Sequence, residues 1–108
     1  GDDILNLPLL SVGAVGFVSV CGHTVGAQLR VMLDAWFSGD SNKALEVHQQ
    51  LLPVFTGTFR TQGAILTKAA LNLMGLPGGF TRLPLVDATD AQISQLKIDL
   101  QAGGVKLK

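Results

Sequence analysis

The sequence predicts a mostly helical chain that carries one buried β-strand and cannot complete that strand's sheet by itself. Two observations set this fold class. The segment Ala14-Val15-Gly16-Phe17-Val18-Ser19-Val20 is a nearly continuous apolar run, the pattern of a strand covered on both faces. No second run of comparable quality occurs in the 108 residues, where apolar positions elsewhere recur at helical spacing. A strand's N–H and C=O groups need neighbours on both sides. The expectation is therefore a part of a larger α/β protein, or a chain that completes its sheet with another molecule.

Residues 3–12 read as a first helix, with Asp2 or Asp3 as its cap, Ile4, Leu7 and Leu10 on one face and Gly13 as its stop. Pro8 lies inside this segment and should strain or kink it. The strand at about 14–20 follows, then a turn through Cys21-Gly22-His23. A second helix after Thr24 carries Leu29, Leu33, Trp36 and Phe37 as its apolar stripe and ends at Gly39. Asp40 caps a third, with Ala44, Val47, Leu51, Leu52 and Phe55 at helical spacing and a kink expected at Pro53. A loop around 56–63 leads to a fourth helix, Ala64 to Met74, stopped by Gly75 and Pro77. The stretch from Leu76 to Ala88 reads as irregular. Thr89 and Gln92 have capping-box spacing for a fifth helix that buries Ile93, Leu96 and Leu100 and ends at Gly103-Gly104.

The order helix, strand, helix and then three strandless helices matches the end of a barrel or doubly wound sheet with a helical C-terminal extension. It fits a stand-alone Rossmann unit poorly, since that fold needs more strands. Composition agrees. The chain is 47% apolar and 15% charged, which implies more buried surface than a small monomer provides. Eight basic residues balance eight acidic ones, which argues against a nucleic-acid or anionic-membrane partner. No apolar stretch reaches the ~18 residues of a membrane span. The single Cys21 excludes an internal disulfide and is compatible with a reducing cytoplasm. Gly1-Asp2-Asp3 is neither a signal peptide nor a lipidation site, and a start without methionine is consistent with truncation or processing.

Three segments in sequence order carry a family resemblance: Gly1-Asp2-Asp3 before an apolar helix, Gly16-Phe17-Val18-Ser19-Val20, and Arg82-Leu83-Pro84-Leu85. Together they resemble the C-terminal portion of the 4-hydroxy-tetrahydrodipicolinate synthase (dihydrodipicolinate synthase) family of class I pyruvate aldolases. The segment Gly63 to Leu71 looks like the actinobacterial branch; other members carry an Asn-Pro stretch before the equivalent of Lys68. The resemblance spans essentially the whole chain. It implies a C-terminal fragment of a (β/α)8 TIM barrel: the end of strand 7, helix 7, strand 8 and helix 8 in residues 1–38, and a three-helix extension in 39–108. It further implies a cytoplasmic lyase of lysine biosynthesis that condenses pyruvate, held as a Schiff base on a lysine, with aspartate semialdehyde, without a cofactor, in dimers or tetramers. The alternatives are another pyruvate-dependent aldolase, such as an N-acetylneuraminate lyase-like enzyme, and a non-enzymatic helical oligomerisation module.

By this resemblance the Schiff-base lysine, the tyrosine relay and the substrate-binding arginine all lie upstream of Gly1, so no catalytic residue is expected here. The five lysines, Lys43, Lys68, Lys97, Lys106 and Lys108, read as structural or solvated. Two backbone positions map onto the family pocket: the carbonyl of Val18, and Gly1, where a backbone without a side chain can approach substrate. For Val18 a plain buried strand residue is the competing reading. The Asp2-Asp3 pair invites metal or acid–base roles, against which helix capping is the simpler account. Cys21 and His23 invite a nucleophile pair, but lack a third orienting group. No metal-ligand spacing exists, with His48 alone on a helix. Gly13, Gly16, Gly22 and Gly26 fit no phosphate loop and read as close-packing sites.

Overall fold

The computed structural model describes residues 1–108. A 3₁₀ turn, Asp3–Leu5, runs into α1 (Asn6–Ser11), followed by α2 (Gly22–Phe37), α3 (Ser41–Gly57), α4 (Gly63–Leu73) and α5 (Asp90–Ala102). The layout is helix on helix: α2 packs on α3, α3 and α4 both pack on α5, and the 3₁₀ turn and α1 lean on α3. One core joins them, with Val25, Leu29 and Met32 meeting Ala44, Leu51 and Val54, and Leu66, Leu96 and Leu100 closing the far side.

The predicted strand is absent as a strand within this chain. Residues 14–20 run without any ladder between α1 and α2. The N–H and C=O groups of residues 15–19 have no hydrogen-bond partner, and Val15 and Val18 are 87% and 89% exposed. The expectation of burial is therefore corrected. The apolar pattern marks a strand whose neighbours and covering layers lie outside these residues, and no segment here has the alternation or length to replace them. The glycine expectation fails for the same reason. Side chains added at Gly16 or Gly26 would meet nothing within 4 Å, so neither serves close packing inside the chain.

The helices follow their sequence signals. Asp40 accepts from Lys43 N at 3.0 Å and starts α3. Thr89 and Gln92 cap one another as predicted, Thr89 N to Gln92 Oε1 at 2.9 Å and Gln92 N to Thr89 Oγ1 at 3.2 Å. Gly39 and Gly75, at φ of 88° and 76°, end α2 and α4 in a left-handed conformation that other residues rarely adopt. Pro8 sits in the first turn of α1, where the missing N–H costs little, and α3 continues through Pro53 to Gly57. The buried stripe of α2 differs from the one expected. Val25, Leu29 and Met32 face α3, Leu33 and Trp36 are half-buried, and Phe37 is exposed. Leu33 instead lies beside Phe17 on the flank of α2 turned toward residues 14–20. The helix thus carries two apolar flanks, and the sequence pattern merged them.

The irregular stretch between α4 and α5 is tied down by side chains. Lys68 Nζ donates to Gly78 O at 3.1 Å, Asn72 and Gly79 exchange hydrogen bonds, and Asp87 accepts from Thr81 N and Oγ1. Between α3 and α5 the approach is so close that glycine stands at two contacts: Gly103 against Val54, and Gly57 against Asp99. Asp99 is 5% exposed, and Arg60 reaches it in a fork, Nε to Oδ2 at 2.7 Å and Nη2 to Oδ1 at 3.0 Å, with Gln95 Nε2 at 3.2 Å. A Cβ on residue 57 would stand 2.5 Å from Asp99 Cβ. Gly57→Ala is expected to lower stability by about 1–3 kcal/mol through overpacking, read as a drop in the urea midpoint at constant m-value; an unchanged midpoint would show that α5 yields freely.

Candidate functional site

The two backbone positions singled out from sequence, Gly1 and Val18, lie on separate segments that one carboxylate joins. Asp3 was expected to cap the helix that follows it. It does not: neither Asp2 nor Asp3 makes a side-chain cap there. Asp3 is 1% exposed and turns across to the end of the 14–20 run. Its Oδ2 accepts from Val20 N at 3.1 Å and Cys21 N at 2.9 Å. Its Oδ1 accepts from Asn6 Nδ2 at 2.9 Å and from the Ser19 hydroxyl. Ser19 Oγ in turn accepts from Gly22 N at 2.8 Å, at the first residue of α2.

The chain entering α2 is thus held at Val20 N and Cys21 N by a carboxylate 17 and 18 positions upstream, while Gly22 N, at the first residue of the helix, is capped locally by Ser19 Oγ. An anionic carboxylate there also meets the positive end of the helix dipole. Burial pushes the Asp3 pKa up, but the hydrogen bonds from Cys21 N, Ser19 and Asn6 outweigh it and hold the carboxyl below its ordinary value. Asp3 is two residues from Gly1, and Ser19 directly follows Val18, so the joint sets both backbone positions. Inside the chain an added Cβ at Gly1 would make only an ordinary contact, 3.7 Å from Leu9 Cδ1, so packing here does not demand glycine. The Val18 carbonyl has no internal acceptor role to fill.

The other candidates separate. Cys21 is 1% exposed, and burial, with the Asp3 charge adding to it, pushes its thiol up to about 12, so it holds its proton at neutral pH. His23 is exposed, in a different environment. His48 is half-buried with its ring 5.9 Å from that of Phe55, and burial lowers its pKa. No three His, Cys, Asp or Glu side chains converge on a metal site. Lys43 pairs with Glu46 at 3.3 Å, Lys68 is engaged by Gly78, and Lys97, Lys106 and Lys108 are exposed. No helix is long and apolar enough to cross a membrane.

Residues 1–103 match the Dihydrodipicolinate synthetase family. The chain belongs to that family. It is 65% identical over 107 residues to 4-hydroxy-tetrahydrodipicolinate synthase 2 of Streptomyces coelicolor, covering 99% of this chain and 36% of that protein. It is 58% identical over 104 residues to 4-hydroxy-tetrahydrodipicolinate synthase of Acidothermus cellulolyticus, covering 96% of this chain and 34% of the relative. Among solved structures, DHDPS from Cyanidioschyzon merolae with lysine bound superposes with a TM-score of 0.92 at 39% identity, over 98% of this chain and 36% of the other. A monomeric dihydrodipicolinate synthase variant gives 0.91 at 34% identity, over 98% and 35%. The chain therefore spans about a third of its relatives and is a fragment of the TIM-barrel enzymes of this family.

Sequence reasoning missed the Asp3 joint. No local rule points to it, because the N–H groups of Val20 and Cys21 and the hydroxyl of Ser19 lie 16 to 18 positions from Asp3. An aspartate held below its ordinary pKa contributes stability that is complete above the unfolded value of about 3.9 and is lost as pH falls from there through the lower folded value. Asp3→Asn should cost about 2 kcal/mol at pH 7 and flatten the loss of stability as pH falls below about 5. Urea unfolding across that range checks this; an unchanged acid slope would show that the Asp3 joint does not govern it.

Proposed function

We propose that the full-length protein is a lyase that condenses pyruvate with aspartate semialdehyde to give 4-hydroxy-tetrahydrodipicolinate. The observation that carries this reading is the 65% identity to a synthase of that name across 99% of the chain. Residues 1–38 then form the end of the seventh strand, helix 7, strand 8 and helix 8, and residues 39–108 the helical extension. Pyruvate is held as a Schiff base on a lysine outside these residues. This chain supplies backbone rather than side-chain chemistry. The Val18 carbonyl accepts a hydrogen bond at the C-terminal mouth of the barrel, and Gly1 leaves room for substrate beside it. The free carbonyl of Val18 and the absence of any packing demand at Gly1 support these roles. The site lies in the cytoplasm, and the working form is a dimer or tetramer.

Three outcomes follow from this reading. The chain alone, incubated with pyruvate and reduced with borohydride, forms no covalent adduct; a stable adduct on any of its lysines would contradict the assignment. The upstream two thirds of the Streptomyces coelicolor relative joined to this chain is active on pyruvate and aspartate semialdehyde, and Asp3→Asn lowers its kcat/KM by about ten- to a hundredfold through misplacement of the two backbone groups. Activity unmoved by that substitution would separate the joint from the site. The chain alone self-associates through Val15, Val18, Phe80 and Leu83, each more than 70% exposed; a monodisperse monomer by light scattering at high concentration would contradict this.

A further inference from the structure

Two hollows are each lined in part by Phe59, one beside the segment that follows Gly1 and one beside Val20 at the end of residues 14–20. The smaller, of about 290 Å³, is walled by Asp2, Asp3 and Ile4 together with Phe55. This is the side from which the chain arrives through Gly1, the side of the seventh strand. The larger, of about 540 Å³, contains no residue of that arriving segment. Val20, His23, Phe59, Gly63, Thr67 and Pro77 line it, so it lies between the end of the eighth strand and the helical extension.

Its chemistry favours polypeptide over a charged small molecule. The walls are largely apolar, and the one cation beside them, Lys68, already donates to Gly78 O at 3.1 Å. Thr67 is 7% exposed, and its hydroxyl has no partner in the chain. A buried hydroxyl of this kind normally meets an N–H or C=O group. Topology names the source. In a closed eight-stranded barrel the eighth strand pairs with the seventh on one edge and with the first on the other. The seventh-strand side is the one already occupied by residues 1–4.

We propose that the larger hollow receives the segment leaving the C-terminal end of the first barrel strand, so that the helical extension latches the seam where the barrel closes. The relatives are long enough to supply it, since this chain spans only 36% of the Streptomyces coelicolor protein. The inference rests on the family fold and not on the activity. It also gives the extension a task that the active-site reading leaves unassigned: holding together the two ends of the polypeptide.

The test uses the full-length chimera with its upstream two thirds from the Streptomyces coelicolor relative. A benzophenone amino acid is placed at His23 or at Pro77, both exposed, so that neither replacement disturbs the core. After irradiation, cross-linked peptides are mapped by mass spectrometry, with no need for the enzyme to be active. The expected result is that most intramolecular links from either position fall in the first strand and the loop that follows it. Links confined to the stretch just before Gly1, links to a second copy, or no links at all would each overturn the proposal.

Discussion

The carboxylate of Asp3 is the interaction on which the arrangement depends. It is buried, ionised and fully occupied, with backbone N–H groups on one oxygen and the Asn6 and Ser19 side chains on the other. Hydrogen bonds to a charged acceptor are roughly twice as strong as neutral ones, and losing them leaves donors buried and unpaired. Nothing else ties the 3₁₀ turn to the start of α2 by side-chain hydrogen bonds with comparable geometry. Without this joint, the segments bearing Gly1 and Val18 would be linked only through α1 and a run whose backbone forms no hydrogen bonds of its own.

That run explains the molecule's most unusual surface. Five consecutive residues, 15–19, leave their peptide groups unpaired, and the valines among them are almost fully exposed. The helices around it are nonetheless well formed, because α2, α3, α4 and α5 bury one another through Met32, Leu51, Leu66 and Leu100, with Phe17 of the run packed only at the margin of that core. The fragment thus divides into a helical part that packs with itself and a stave that packs with something else. Leu33 and the flank of α2 beside Phe17 belong with the stave.

Much of this was legible in the sequence where a local rule decides the structure. Thr89 with Gln92, Asp40 before α3, and the glycines that end α2 and α4 all lie where capping chemistry places them. The orphan character of residues 14–20 followed from pattern alone, and the family from the resemblance carried by Gly1-Asp2-Asp3, Gly16 to Val20 and Arg82 to Leu85. What was not legible depends on contacts between distant residues. Asp3 looked like a local cap because its partners lie 16 to 18 positions away, with only Asn6 nearby. The α2 stripe was misplaced because that helix has two apolar flanks, and periodicity cannot tell which one α3 covers. The fork from Arg60 to Asp99 spans 39 positions and has no sequence signature at all.

Amide hydrogen exchange at residues 15–19 tests most directly the claim that this run is a barrel strand separated from its neighbours. In the chain alone these amides should exchange at close to the free rate, while those of α3 and α5 are protected. In the full-length chimera they should join the slowest class. Protection of residues 15–19 in the lone chain, or free exchange in the chimera, would contradict the account.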